Sequence, residues 1–342
     1  MIGISVYLSD EGAEDRILHA SSSGIKLAFT SLHIPEESAY SRDHVSHLLS
    51  IFKREVFEVF ADVSKNTPSF LGLSHLEEFK ELGVTALRLD DGFTTDEMME
   101  LSRHFQIAIN ASTVGEKELQ EWISCGLETG SMIAWHNFYP KPETGLDQAY
   151  FMKQQKLFDA LDIPVYAFIP GDGEKRGPLY KGLPTLEDHR DQNPYTSAMQ
   201  LRHCGVQGVF IGDPGCSQEL LCKLVEYVQE NVMELSYKGS GEIEGEYQLR
   251  PDQGRDVYRL LETRTNGDVP PANTVERPRG TITRDNDWYG RYKGEMQIVR
   301  KNLEKNPAVN VVGRIRDEDL DLLELLEPGQ KIRLIRGTDL SM

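Results

Sequence analysis

The sequence predicts an α/β protein, a (β/α)8 TIM barrel followed by a small β-rich domain. Three observations carry this. Eight short β-rich runs alternate with segments of helical period up to about residue 213, no glycine-rich turn follows the first run, and the composition shifts at "YKGSGEIEGEY" (237–247). Strands that alternate with helices form parallel sheets, and eight such units close into a barrel. An open doubly wound sheet would want a glycine-rich phosphate turn after its first strand. This chain has "SDEGAED" there.

In order, the runs are "IGISVYL" (2–8), "IKLAFTSL" (25–32), "VFEVFADVS" (56–64), "VTALRLDD" (84–91), "QIAINAS" (106–112), "MIAWHNF" (132–138), "IPVYAFI" (163–169) and "VQGVFIG" (206–212). Between them, "DHVSHLLSIFKREV", "LSHLEEFKELG", "TDEMMELSRHF", "EKELQEWISCG" and "QAYFMKQQKLFDAL" repeat apolar residues at helical spacing. Ser74 and Thr95 are plausible N-caps, and Gly83 and Gly126 close their helices. "GDGEKRG" (171–177) matches a dinucleotide fingerprint only loosely, because its third glycine comes late and it follows the seventh strand. It reads as a barrel loop.

After "SQELLCKLVEYVQENV" the pattern turns to short strands, with a helix-like "DEDLDLLELL" and a final "KIRLIR". The expected domains are a catalytic barrel over 1–237 and a β domain over 238–342. Residues 240–342 hold 17 Lys+Arg against 19 Asp+Glu, and the rest of the chain holds 20 against 36. The acidity therefore sits in the barrel, and "RPRGTITRDNDWYGRYKGE" (277–295) is a locally basic stretch.

A net charge of -18 argues against binding nucleic acid through its phosphates. No run approaches 18 apolar residues, so no membrane association is expected, and the opening residues read as a strand without a basic leader. Cys125, Cys204, Cys216 and Cys222 lack metal or disulfide-scaffold spacing and read as buried or half-buried thiols of a reducing cytoplasm. Oligomeric state is not legible.

A barrel of this type works at the C-terminal ends of its strands. Those ends are polar: Ser9 and Asp10, Ser31 and His33, Asp62 and Ser64, Asp90 and Asp91, Asn110 and Ser112, His136 and Asn137, then Asp172 and Asp213. Arg88 shares the parity of Asp90, and Glu58 that of Asp62, so an ionic network in the upper barrel is expected, either as packing or as part of the site. No strand ends in a lysine suited to a Schiff base except Lys65. His33 and His136 sit on separate strands, as hydrogen-bond donors to substrate or structural histidines rather than metal ligands. Neither a metal nor a cofactor is called for. Abundant carboxylates beside amides and aromatic rings are the equipment of glycoside hydrolysis.

Four stretches go further. "TALRLDDGF" (85–93), "HNFYPKPETGL" (136–146), "FIPGDGEKRGPLYKGLPTLEDHR" (168–190) and "DWYGRYKGEMQI" (287–298) resemble the bacterial 6-phospho-N-acetylmuramidase family, and the resemblance spans the chain. It implies a barrel with a cyclophilin-like second domain. It also implies hydrolysis, in the cytoplasm, of the β-1,4 bond joining 6-phospho-N-acetylmuramic acid to N-acetylglucosamine during cell-wall recycling.

With that substrate, the adjacent pair Asp90 and Asp91 becomes the first catalytic candidate, one acid orienting the 2-acetamido group and the other protonating the leaving oxygen. Neighbouring acids also raise one pKa. Adjacent strand residues face opposite ways, however, so Asp91 could instead cap the turn at Gly92. Asp62 or Glu187 would then supply the second carboxylate, with Asp172 and Glu37 as lesser candidates. Ser31, His33, Asn110, His136, Asn137, Tyr139 and Asp172 are expected to bind the sugar, with Phe138 available for stacking. The phosphate is expected on Arg176, Arg190, Gly212 and Gly215 of the last two barrel loops and on Arg284, Arg291 and Tyr292 of the second domain. A phosphosugar sensor without turnover, or a phosphosugar lyase or isomerase, are the competing readings.

Overall fold

The computed structural model describes residues 1–8, 10–32, 42–90 and 92–337. Four residues singled out above, Ser9, His33, Glu37 and Asp91, lie outside the described residues. The chain divides into two compact units, Met1–Val225 and Glu226–Met342.

Eight parallel strands close the first unit: β1 (Ile2–Ser5), β2 (Leu27–Ser31), β3 (Glu58–Val63), β4 (Ala86–Leu89), β5 (Gln106–Asn110), β6 (Met132–Trp135), β7 (Val165–Ile169) and β8 (Gly208–Ile211). Each pairs with the next in sequence, and β8 returns to β1 through Ile2 opposite Val209. The helices are α1 (Ala13–Ser22), α2 (Arg42–Arg54), α3 (Thr67–Phe70), α4 (Thr95–Ser102), α5 (Glu116–Ser124), α6 (Gln148–Asp159), α7 (Pro194–His203) and α8 (Gln218–Glu230).

Local sequence explains two departures from the expected elements. Thr94, not Thr95, caps α4: its hydroxyl accepts from Glu97 N while the Glu97 carboxylate accepts from Thr94 N at 2.7 Å, a reciprocal capping box. Leu76–Lys80 winds as a 3-10 turn, since the Glu78 carboxylate draws the backbone N–H groups of Ser74 and His75 onto itself. Gly83 and Gly126 do close their segments, at φ +99° and +108°.

Aromatic rings fill the barrel. Phe29, Phe60, Trp135, Tyr166, Phe168 and Phe210 form one buried cluster, with the Trp135 and Phe210 ring centroids 4.4 Å apart. The cluster fixes parity. On β3 and β4 the residues that share a face with Phe60 and Ala86 include Asp62 and Arg88, so these point inward, above the aromatic layer. Glu58 is also inward by parity, but it begins β3 at the opposite end and is exposed, so the expected role in an upper ionic network does not hold for it.

The second unit is a seven-stranded sheet of β9 (Val232–Gly239), β10 (Gly245–Gln248), β11 (Val257–Arg259), β12 (Thr281–Asp285), β13 (Met296–Val299), β14 (Val309–Ile315) and β15 (Lys331–Arg336). Its order is β10-β15-β9-β14-β12-β13-β11, with only the β9–β15 pair parallel. A bridge between Leu249 and Leu260 links the segments beyond the two edge strands, so the sheet curls round on itself. Met233, Leu235, Tyr237, Ile282, Ile298, Ile332 and Leu334 are buried in it. The "DEDLDLLELL" segment forms 3-10 turns over Asp317–Leu325 rather than an α-helix.

Candidate active site

Above the aromatic layer, Arg88 organises the mouth of the barrel. Its Nη1 pairs with the Asp62 carboxylate at 3.0 Å and its Nη2 donates to the Asn137 side-chain oxygen, tying β3, β4 and the segment after β6 together. Arg88 and Asp62 are both buried. Ser31 is fully buried beside them, in register with Asp62. Ser112 extends the network, its hydroxyl accepting from Asn137 N at 3.0 Å and lying 3.2 Å from His136 Nδ1. The Asn110 side chain accepts from Ser112 N at 3.1 Å. Asp90 follows β4 and is exposed, with its backbone N–H on Val63 O.

Several expected ligands are engaged elsewhere. His136 has no exposed surface and packs against Phe151 of α6, because Trp135 takes the inward position and adjacent residues must face apart. Burial, helped by the Arg88 charge, lowers its pKa to about 3, so it is a neutral ring behind the barrel wall and not a sugar ligand at the opening. Glu187 holds two loops together. It pairs with Arg190 at 2.6 Å and accepts from Glu143 N and Gly145 N, and these contacts, that of Arg190 first, lower its pKa to about 2. A carboxylate so stabilised in its charged form is a poor proton donor near neutral pH.

The same geometry removes Arg190 from phosphate binding. Its Nε and Nη2 donate to Glu187, Nη2 also to Lys141 O, and Nη1 to the carbonyls of Lys181 and Gly182, so it is used up as a buried brace. Asp172 accepts from Ser217 N at 2.7 Å and from the Ser217 hydroxyl, tying the loop after β7 to the start of α8 rather than facing a sugar. Gly212 N bonds Ile169 O and Gly215 N bonds Glu174 O, so neither N–H is left for phosphate. Tyr139 is half-buried with a phenol pKa raised by burial.

The opening lies to one side of the mouth. A cleft of about 720 Å³ is bounded by the loops after β1, β6, β7 and β8. Tyr7, Phe138 and Leu183 form its apolar floor, and Arg176 lays its guanidinium 3.7 Å above the Tyr7 ring. Asp10, Glu11, Arg16, Glu174 and Lys175 line its walls, with Tyr180 on the rim. Arg16 pairs with Asp10 and reaches Glu174 at 3.7 Å, and Lys175 lies 3.6 Å from Asp213. Asp213 is the knot beneath, accepting from Gly171 N, Arg176 N and Leu183 N. Of the cleft residues, sequence reading named Arg176 as a ligand, Phe138 for stacking and Asp10 only as a strand end. Arg16 and Glu174 escaped it because one sits on a helix and the other in a loop read for its glycines.

In the second unit Arg284 is half-buried against Met296 Sδ at 3.6 Å. Arg291 is exposed, stacks 4.8 Å from the Tyr292 ring centroid and donates to its hydroxyl. Asp285 is buried beside Glu295, and burial first, then that neighbour, pushes its pKa up to about 7.

Two family models cover the chain: 6-phospho-N-acetylmuramidase, N-terminal, matches residues 2–226, and its C-terminal counterpart matches 228–335. The chain belongs to the 6-phospho-N-acetylmuramidase family. Among solved structures it is similar to a conserved Enterococcus faecalis protein of unknown function, at 36% identity and TM-score 0.86, over 98% of this chain and 96% of that one. It is also similar to an uncharacterized B. cereus protein, at 27% identity and TM-score 0.80, over 98% and 99%. No curated protein matches. Among the described residues no group of three or more His, Cys, Asp or Glu is arranged to hold a metal ion, and no helix is long and apolar enough to cross a membrane.

Proposed function

We propose that the protein hydrolyses the β-1,4 bond of 6-phospho-N-acetylmuramyl-N-acetylglucosamine during recycling of cell-wall fragments in the cytoplasm. The observation that carries this reading is the family match across both units, and a cleft at the C-terminal ends of the strands fits it. Its lining of carboxylates, cations and aromatic rings supports the reading, since a phosphorylated disaccharide would call for these groups. Arg176 is the barrel's proposed phosphate ligand, its face on Tyr7 and its half-buried head at the cleft wall. In the second unit Arg291 and Tyr292, stacked on each other, are proposed as anion ligands of that unit. Past β4, Asp90 and Asp91 are proposed to take two parts, one orienting the 2-acetamido group and the other protonating the leaving oxygen, while Asn110, Asn137 and Tyr139 take sugar hydroxyls or the lactyl carboxylate.

The test is release of N-acetylglucosamine from the phosphorylated disaccharide and from its unphosphorylated counterpart. Turnover is expected for the phosphorylated sugar, with Arg176→Ala raising KM roughly tenfold or more for it. Binding without release would favour a sensor, and conversion without a free amino sugar would favour a lyase or isomerase.

A further inference from the structure

At the base of the loop that carries Arg291 and Tyr292 stand two buried acids. β12 ends at Asp285, and the pairing of Arg284 with Met296 continues to Asp285 opposite Glu295: Asp285 N donates to Glu295 O at 3.0 Å and Gly294 N to Asp285 O at 2.8 Å. Cross-strand neighbours project from one face of a sheet, so the two carboxylates are neighbours, and both residues are buried. Only Glu295 is paired with a cation. Arg264 donates to it through Nε at 2.7 Å and through Nη2. Asp285 has no equivalent: Gln297 Nε2 stands 3.5 Å from its Oδ2, and its Oδ1 has no hydrogen-bond partner among the described residues.

The charged groups around Asp285 do not make up for this. Glu295 opposes its charge, Arg264 is committed to Glu295, and Arg277 donates its Nε to Glu304 O. Val309, its partner on β14, is uncharged. A buried carboxylate without a cation or an N–H donor of its own is costly as an anion and keeps its proton instead. That burial, with Glu295 beside it, is why the acid titrates at about 7. Residues 226–342 contain no histidine and no cysteine, so no ordinary side chain of this unit titrates between pH 6 and 8.

We propose that the proton on Asp285 locks the loop 286–294: while it is held the loop stays closed at its base, and its loss above neutral pH lets the loop open. The backbone bonds between Asp285 and the 294–295 segment are that base. The Tyr292 ring at its far side lies between two guanidinium groups, Arg264 at 4.6 Å and Arg291 at 4.8 Å, and Arg264 ties the stack back to Glu295. An ionised Asp285 sets a second negative charge beside Glu295, which opposes closure and offsets one of the two positive charges that the stack offers to an anion. The lock therefore regulates the anion site. Its use, though not its existence, rests on the reading of Arg291 and Tyr292 as anion ligands. The sign follows from the proton: closed, the acid titrates at about 7, and open, at its ordinary 3.8, so closure weakens as pH rises between these values and is weakest above them.

The experiment follows hydrogen exchange of residues 286–294 in the full chain at pH 6 and pH 8.5, with wild type and Asp285→Asn compared at each pH so that intrinsic exchange rates cancel. The ratio of wild-type to variant exchange should rise about tenfold between the two conditions. Sulfate, whose charge is constant over this range, should bind wild type severalfold more tightly at pH 6, bind Asp285→Asn equally at both, and fail to bind Arg291→Ala. An exchange ratio that does not change with pH overturns the proposal. Should Asp285→Asn fail to fold, carboxyl carbon NMR of wild type labelled at aspartate follows the proton itself, and the lack of any aspartate titrating above about pH 5 overturns it equally. A wild type whose exchange ratio rises but which takes no sulfate at either pH overturns the anion reading and leaves the lock standing.

Discussion

At the scale of single residues, partner inventory separates the acids and bases of this barrel better than their position does. Glu187 ends a conspicuous motif, yet each of its oxygens is bonded within its own loops. Its pKa of about 2 lies below the ordinary carboxylate value of about 4.5, so the charged form favours the folded state. The sign follows directly: that stability is present above the unfolded pKa and is lost as pH falls through about 2. The side chain is 30% exposed, so solvent screening reduces the effect to about 1 kcal/mol. Glu187→Gln should therefore be less stable than wild type above pH 5, and the difference should fade toward pH 2 in urea melts. A constant difference across that range would mean the pair does not carry the effect. His136 teaches the same lesson from the opposite side. The sequence places it beside Asn137 in a shared motif, but Trp135 fills the barrel and sends His136 outward. Parity would have assigned the two residues different roles. Their adjacency suggested one.

Among the elements, the barrel strands were legible because alternation and apolar runs survive burial on both sides. Arg88 and Asp62 could be paired from parity alone. The loops were not legible, since which backbone N–H groups are consumed depends on approaches that no periodicity records. The loops after β7 and β8 show this. A Cβ on Gly171 would fall inside contact with the Gly215 carbonyl, and one on Gly215 would overlap the Glu174 backbone nitrogen. These glycines are there for close approach, not for phosphate, and they set where Glu174 and Arg176 stand. Gly171→Ala should cost about 1–3 kcal/mol by overpacking. It should also raise KM for the phosphorylated sugar, because the loop that carries Arg176 must shift to make room. Thermal unfolding and steady-state kinetics on the same sample check both parts, and unchanged stability would show that the two loops yield freely.

For the molecule as a whole, composition announced a second domain, and contacts place the division between Val225 and Glu226, inside α8 and before the shift in composition. The reason is that β9 is the hub of the second sheet. It pairs in parallel with β15 and antiparallel with β14, yet most of it, "VMELSYKG", precedes the composition shift at "YKGSGEIEGEY" on which the sequence boundary rests. Arg333 of β15 reinforces the later unit by pairing with Glu226 and Glu246. Each unit has its own buried apolar interior, which is the physical requirement for folding alone. Residues 226–342 produced separately should therefore unfold cooperatively in urea. A fragment started at residue 238, as composition alone would suggest, loses all but the last two residues of β9 and with them the strand that joins β15 to β14. That shorter fragment should bind a hydrophobic dye and melt without a transition. If both fragments fold equally well, β9 is not the organising strand and the division belongs where the composition changes.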